Sequence, residues 1–137
     1  MKKIIIATHS TMAQGLKDTL EFILGSQKSV SAITAYLSDE VTIEQEIDML
    51  FDELDPEDEL IVAVDLLGGS VANAFSQRVG RENFYLVSGV NLPMLLELCL
   101  STEPDSSKLI SQAINSGAKG MVFVNELLAE NEEEELE

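Results

Sequence analysis

The chain has few of the residues on which disulfides, metal centres and membrane spans depend. It contains one cysteine, Cys99, and one histidine, His9. An internal disulfide is therefore excluded, and we expect neither a zinc site nor another bound metal. No apolar run approaches the roughly 18 residues of a spanning helix, so direct membrane insertion is not expected. The first residues lack the long apolar core and the cleavage site of a signal peptide, which predicts a cytoplasmic protein.

Basic residues are also scarce. Lys and Arg number 8 against 25 Asp and Glu, and the formal net charge is −17. A surface this acidic repels nucleic acid and attracts a protein partner that has a basic face. Seven of the acidic residues lie in the last segment, residues 126–137. We therefore predict a flexible acidic tail there and a single domain over residues 1–125.

Short β-branched runs alternate with amphipathic, helix-like runs along this domain. The predicted strands are residues 3–7, 29–37, 59–64, 83–89 and 120–124. The predicted helices are residues 11–24 ending at Gly25, a helix that starts with a capping box at Thr42, a helix from Ser70, residues 93–100, and a helix ending at Gly117. Strands that are apolar on both faces favour a parallel sheet covered by helices on each side. We predict a doubly wound α/β fold with strand order 2-1-3-4 and a short antiparallel edge strand at residues 120–124.

Polar residues follow the first and third predicted strands at the points where these strands end. His9 ends the first strand, and Asp65 followed by Gly68 and Gly69 comes after the third. In a doubly wound sheet, ligands bind where the winding direction reverses, which here lies between these two strands. The two glycines let the backbone approach a ligand closely, and the helix that begins near Ser70 offers amide donors to an anion.

This combination suits transient phosphorylation of the histidine. A neutral imidazole can attack phosphorus with one ring nitrogen. A carboxylate such as Asp65 can hold the other N–H, which fixes the tautomer and stabilises the cation that forms. No metal, nucleotide or other cofactor is then required.

The same residues resemble a known family, the mannose-class enzyme IIA domains of the bacterial phosphoenolpyruvate-dependent sugar phosphotransferase system. The resemblance covers residues 2–125 and rests on THS after the first strand, DLLGGSVAN around the third strand's end, and GVNLPML at residues 89–95. It implies a phosphocarrier in which His9 is phosphorylated, Asp65 lies beside it and Ser70 lies near the phosphoryl group. It also implies a donor, the histidine-containing phosphocarrier protein, and an acceptor, a IIB component that serves sugar uptake.

Two further expectations come from this resemblance. The family forms homodimers whose terminal strand crosses to the partner's sheet, and residues 120–124 are compatible with that exchange and equally with an ordinary edge strand. Family members commonly have glycine and proline where this chain has Ser10 and Val71. Ser10 can still cap the first helix or donate to the phosphoryl group. The residues predicted to contact the phosphoryl group are Thr8, Ser10, Gly68 and Gly69.

Three alternatives share part of this pattern. The closest is the phosphotransfer subunit of a phosphoenolpyruvate-dependent dihydroxyacetone kinase, although GGSVAN and GVNLPML favour the sugar-uptake class. A receiver domain needs an acidic pair after its first strand, where this chain has THS. A hydrolase built on His9, Asp65 and Ser70 would place its serine in a G-x-S-x-G turn, which this chain lacks. The transported sugar is not recorded in the sequence.

Overall fold

A four-stranded parallel sheet forms the centre of the structure, a computed structural model that describes residues 1–136. The strands are β1 (Lys2–His9), β2 (Val30–Ala35), β3 (Glu59–Val64) and β4 (Phe84–Ser88). The helices are α1 (Met12–Leu24), α2 (Ile43–Asp52), α3 (Ser70–Ser76), α4 (Leu92–Leu100), α5 (Ser106–Lys119) and α6 (Val124–Leu136). The strand order is β2-β1-β3-β4, with every pair parallel. This confirms the predicted doubly wound α/β fold and its order 2-1-3-4.

Helices cover both faces of the sheet. Successive side chains of each strand point to opposite sides, so each strand contributes to two buried clusters. Ile4 and Ile6 of β1 pack in a cluster with α1, α4 and α5, whereas Ile5 and Ala7 pack in a second cluster with α2 and α3. Each fully buried side chain of isoleucine or leucine size stabilises the fold by roughly 1.5–3 kcal/mol. The two clusters hold β1 and β3 rigidly at the centre of the sheet, and the ends of these strands carry the candidate site.

Local signals place most helix ends as predicted. The Thr42 capping box is present, since Thr42 Oγ1 accepts from the Gln45 N–H at 3.1 Å and Gln45 Oε1 accepts from the Thr42 N–H at 2.9 Å. Gly25 ends α1 as expected.

The predicted end of the fifth helix at Gly117 is wrong, because α5 continues to Lys119 and ends at Gly120. A Cβ atom at Gly117 would lie 2.9 Å from Asn91 Oδ1. Asn91 donates from Nδ2 to the Gly117 carbonyl at 2.9 Å and accepts from the Met94 N–H at 3.0 Å. Gly117 therefore allows α5 to approach the start of α4, and does not stop the helix.

The predicted edge strand at residues 120–124 is not formed within the single chain described. Gly120 ends α5 and α6 begins at Val124. Between them Met121, Val122 and Phe123 are 74%, 50% and 64% exposed. A strand needs a neighbour for its backbone N–H and C=O groups, and within residues 1–136 no strand pairs with this segment. Neither the antiparallel strand nor its exchange between subunits is observed.

The segment predicted as an acidic tail, residues 126–137, lies largely on α6, and its last residue, Glu137, is outside the described part of the chain. The side chains of residues 126–135 are exposed. The flexibility of this tail therefore stays a prediction. None of the helices described, α6 included, is long and apolar enough to cross a membrane.

Candidate functional site

The ends of β1 and β3 bring His9 and Asp65 into direct contact. The two strands are adjacent and Ala7 pairs with Val64, so the residues that follow this pair lie side by side. Asp65 Oδ2 accepts from the His9 backbone N–H at 3.0 Å and lies 2.8 Å from His9 Nδ1. The other carboxylate oxygen, Oδ1, accepts from the Leu66 N–H at 3.0 Å. One carboxylate therefore fixes both the backbone and the ring of His9.

The surroundings of Asp65 keep its carboxylate ionised. Burial of the side chain raises the pKa of Asp65, but the hydrogen bonds from the His9 backbone and ring, the charge of His9 and the Leu66 N–H outweigh burial and leave the pKa below its ordinary value. An ionised carboxylate only accepts hydrogen bonds. The proton of a neutral His9 ring must then lie on Nδ1, which leaves the lone pair of Nε2 free for other contacts.

The second ring nitrogen of His9 faces the more open side of the site. Nε2 lies 3.1 Å from Oγ of Ser70, the first residue of α3. The Tyr36 hydroxyl donates to the same oxygen at 2.8 Å, and the rings of Tyr36 and His9 are 5.6 Å apart. The His9 side chain is 37% exposed, against 11% for Asp65. His9 is thus held firmly on the Asp65 side and remains accessible on the Ser70 side.

The glycine loop between β3 and α3 packs closely against His9. Gly68 has φ +77°, a conformation that favours glycine. A Cβ atom at Gly69 would lie 3.3 Å from His9 Cε1 and 3.3 Å from Leu66 Cβ. The Gly69 N–H already donates to the Leu66 carbonyl at 3.2 Å. The absence of a side chain at Gly69 therefore gives the imidazole its room, and its amide belongs to the turn.

Thr8 and Ser10, both predicted to contact the phosphoryl group, make other hydrogen bonds in the structure. The Thr8 side chain is buried, and its Oγ1 accepts from the Ala13 N–H at 2.7 Å. Thr8 therefore satisfies the start of α1, a role that the sequence suggested for Ser10. Ser10 is exposed, has φ +55° and donates its N–H to the Ala35 carbonyl at 3.0 Å. Its positive φ explains why glycine suits this position in the family that the sequence resembles.

Sequence reasoning missed Tyr36. It is the first residue after β2, which is the strand next to β1. The predicted second strand, residues 29–37, included Tyr36, so the rule that site residues follow strand ends did not single it out. Because β2 ends at Ala35, Tyr36 lies at the strand end, with its ring 5.6 Å from that of His9.

Exposed apolar side chains lie on the loops that carry the site residues. Large apolar residues on these loops that are 55–87% exposed are Tyr36, Leu37, Leu66 and Leu67. Exposed apolar side chains on neighbouring loops favour a protein interaction site.

Comparisons with known proteins show the family to which the chain belongs. Residues 3–115 match the EIIA-man family, described as the PTS system fructose IIA component. The chain is 32% identical over 122 residues to the mannose-specific EIIAB component of Escherichia coli strain K12, which covers 86% of this chain and 38% of that protein. The chain therefore spans well under half the length of this relative.

Solved structures are similar over almost the whole chain. A Klebsiella pneumoniae protein assigned to the permeases of the phosphoenolpyruvate-dependent sugar phosphotransferase system has a TM-score of 0.89 and 34% identity, covering 93% of both chains. A phosphotransferase system component EIIA from Streptococcus agalactiae has a TM-score of 0.76 and 31% identity, covering 91% of this chain and 98% of that one.

The fold, the histidine and aspartate at its winding reversal, and these likenesses define a component of the sugar phosphotransferase system of the IIA class. The chain belongs to the EIIA-man family and is a mannose-class IIA component.

Proposed function

We propose that this chain is a phosphohistidine carrier that accepts a phosphoryl group on His9 Nε2 and passes it on during sugar uptake. The donor is the histidine-containing phosphocarrier protein, and the acceptor is a IIB component. The observation that supports the proposal most directly is the orientation of the ring, with Nδ1 2.8 Å from Asp65 Oδ2 and Nε2 on the accessible side. The family match favours the sugar-uptake system over the dihydroxyacetone kinase subunit.

The proposed transfer needs only groups that the two proteins supply. The Nε2 lone pair attacks phosphorus, the bond between phosphorus and the donor nitrogen breaks, and its electron pair stays on the donor. The His9 ring keeps its proton on Nδ1 and becomes cationic. Asp65 stabilises that charge because its carboxylate already faces Nδ1. Transfer to the acceptor reverses these steps and returns the neutral ring.

The surroundings of His9 support proteins as donor and acceptor. The exposed Leu66 and Leu67 side chains, 61% and 87% accessible, adjoin Asp65 and offer an apolar contact area. A formal net charge of −17 steers partners with a basic face toward the chain.

The direct test is phosphorylation with phosphoenolpyruvate, enzyme I and the histidine-containing phosphocarrier protein, followed by intact-mass measurement. We expect the chain to gain one phosphoryl group that is lost in acid, and His9→Ala to gain none. A phosphoryl group that survives acid, or one that still appears on His9→Ala, contradicts the proposal.

A serine hydrolase is the second candidate, because Asp65, His9 and Ser70 have the connectivity of a catalytic triad, with distances of 2.8 Å and 3.1 Å. Ser70 begins a helix after Gly69 and not in a G-x-S-x-G turn. A fluorophosphonate probe separates the two functions. Covalent labelling that Ser70→Ala abolishes would support the hydrolase, and the carrier predicts no labelling.

We also propose that residues 1–125 form the carrier domain, that residues 126–137 form its acidic tail, and that two copies form a homodimer. The segment predicted as a strand, residues 120–124, would then pair with the free edge of β4 in the other copy. Within the described residues β4 pairs only with β3, and an edge strand readily accepts another strand.

Light scattering tests the dimer. Wild type should have twice the mass of one chain at micromolar concentration, and Phe123→Glu should shift it toward the monomer. Phe22→Glu is the matched control, since Phe22 is 91% exposed but lies on α1. A monomeric wild type, or equal dissociation of both variants, contradicts the proposal.

A further inference from the structure

Tyr36 combines an unusual backbone conformation with a hydroxyl that contacts a site residue. Tyr36 has φ +69°, which bulky residues rarely adopt. Such a conformation persists where surrounding contacts over-determine it, and it recurs at functional sites. The ring is 58% exposed, so burial of apolar surface does not explain why this residue is held there. Its hydroxyl donates a hydrogen bond to Ser70 Oγ at 2.8 Å.

This hydrogen bond sets the direction of the Ser70 proton. A serine hydroxyl has one proton to donate and two lone pairs that accept. Because Tyr36 donates to Ser70 Oγ, it occupies one lone pair, and the Ser70 proton remains available for His9 Nε2 at 3.1 Å. On the other side of the ring, Asp65 requires the proton on Nδ1. Three hydrogen bonds then run in one direction, from Tyr36 to Ser70, from Ser70 to His9 and from His9 to Asp65.

The same proton direction serves the phosphorylated state. A phosphoryl group on Nε2 presents oxygen atoms that only accept hydrogen bonds, and it takes the place of the nitrogen lone pair. The Ser70 hydroxyl can then donate to a phosphoryl oxygen without reversing the hydrogen bond that it accepts from Tyr36. Phosphorus takes the position along the Nε2 lone pair that the Ser70 hydroxyl now contacts at 3.1 Å, so the Ser70 hydroxyl must move aside, but neither it nor the Tyr36 hydroxyl has to reverse its donor role.

We infer that Tyr36 is a positioning residue, whose hydroxyl holds the Ser70 proton toward His9 Nε2 and, once His9 is phosphorylated, toward the phosphoryl oxygens. The role toward the phosphoryl oxygens rests on the proposed function. The role toward Nε2 concerns the unphosphorylated ring and is testable without any phosphoryl transfer.

Tyr36→Phe is the variant of choice, because it removes one oxygen and keeps the ring at the same backbone position. The loss of one oriented hydrogen bond corresponds to a decrease of about 3- to 10-fold in the rate of His9 phosphorylation. Tyr85→Phe is the matched control, since Tyr85 is the other tyrosine of the chain and lies on β4. It should phosphorylate at the wild-type rate.

A double-mutant cycle shows whether Tyr36 acts through Ser70. We expect Tyr36→Phe to slow phosphorylation in the wild-type background and to have no further effect in Ser70→Ala. An equal loss in both backgrounds would mean that Tyr36 acts independently of Ser70, and an unchanged rate of Tyr36→Phe alone would mean that it does not act at all. Either outcome overturns the inference, while wild-type phosphorylation of His9 leaves the proposed function standing.

Nitrogen NMR of His9 in the unphosphorylated protein measures the chemical shift of Nε2. This shift would not change if Tyr36 only stabilised the fold. Wild type should show the tautomer with Nδ1 protonated and an Nε2 shift typical of a hydrogen-bonded acceptor. In Tyr36→Phe the Nε2 shift should move toward that of a free lone pair, with the backbone spectrum otherwise preserved. Identical Nε2 shifts in the two proteins contradict the inference even if wild type is never phosphorylated.

Discussion

Each end of the sheet holds an aspartate whose pKa lies below its ordinary value, but the two have different partners. Asp58 immediately precedes β3, and its Oδ2 lies 3.2 Å from Lys3 Nζ. The pKa of Asp58 is lowered first by the Asp55 N–H and further by Lys3, against the effect of burial. At the opposite end, the partner of Asp65 is the imidazole of His9.

The difference lies in whether the partner's charge can change. A lysine side chain carries its positive charge at neutral pH. The ion pair between Lys3 and Asp58 therefore needs no change of charge in either partner. His9 can be neutral or cationic, and its second nitrogen remains accessible. An aspartate therefore forms an ion pair with a lysine at one end and, at the other, faces a ring whose charge would change under the proposed phosphorylation.

Exchanging each aspartate for asparagine gives the largest expected contrast. Asp65→Asn keeps the shape but removes the charge that stabilises the phosphorylated ring, so phosphoryl transfer should slow by on the order of 10²-fold or more. Asp58→Asn should transfer at the wild-type rate. Stopped-flow or quench measurements of His9 phosphorylation check both. Equal rates for the two variants would remove the distinction between the two ends.

A methyl group beside His9 should have a smaller effect. Gly69→Ala places a Cβ 3.3 Å from His9 Cε1, tighter than ordinary contact, so the ring must shift and transfer should slow by about 10-fold. Gly15→Ala in α1 meets nothing within 4 Å and should instead stabilise the helix by up to about 1 kcal/mol. Transfer rates and urea unfolding of both variants test this. A wild-type rate in Gly69→Ala contradicts the close packing.

The smallest expected effect is the acid dependence of stability. Both aspartates have a lower pKa in the folded state than in the unfolded state, so each adds stability above about pH 4 that is lost as the pH falls through the folded-state pKa. Urea unfolding between pH 7 and pH 3 should show this decline. Asp58→Asn and Asp65→Asn should each decline less steeply than wild type. A variant that declines as steeply as wild type shows that its aspartate does not contribute.

The sequence was sufficient where contacts within the chain decide the structure. The apolar runs on both faces of the strands predicted a parallel sheet covered by helices, and the order 2-1-3-4 predicted for it places His9 beside Asp65 and Ser70. Alternation along β1 places Thr8 on the same face as Ile4 and Ile6, toward α1, but the pattern did not show that its hydroxyl would accept from the Ala13 N–H. Residues 121–124 have strand-forming side chains but no partner strand within the described chain, so intrinsic preference alone does not establish the predicted edge strand.

The attachment point of the phosphoryl group tests the central claim most directly. After phosphorylation through the carrier relay, combined phosphorus and nitrogen NMR of the labelled protein identifies which ring nitrogen of His9 carries phosphorus. The geometry predicts Nε2, with the proton retained on Nδ1 opposite Asp65. Phosphorus on Nδ1, or on any residue other than His9, would contradict this account.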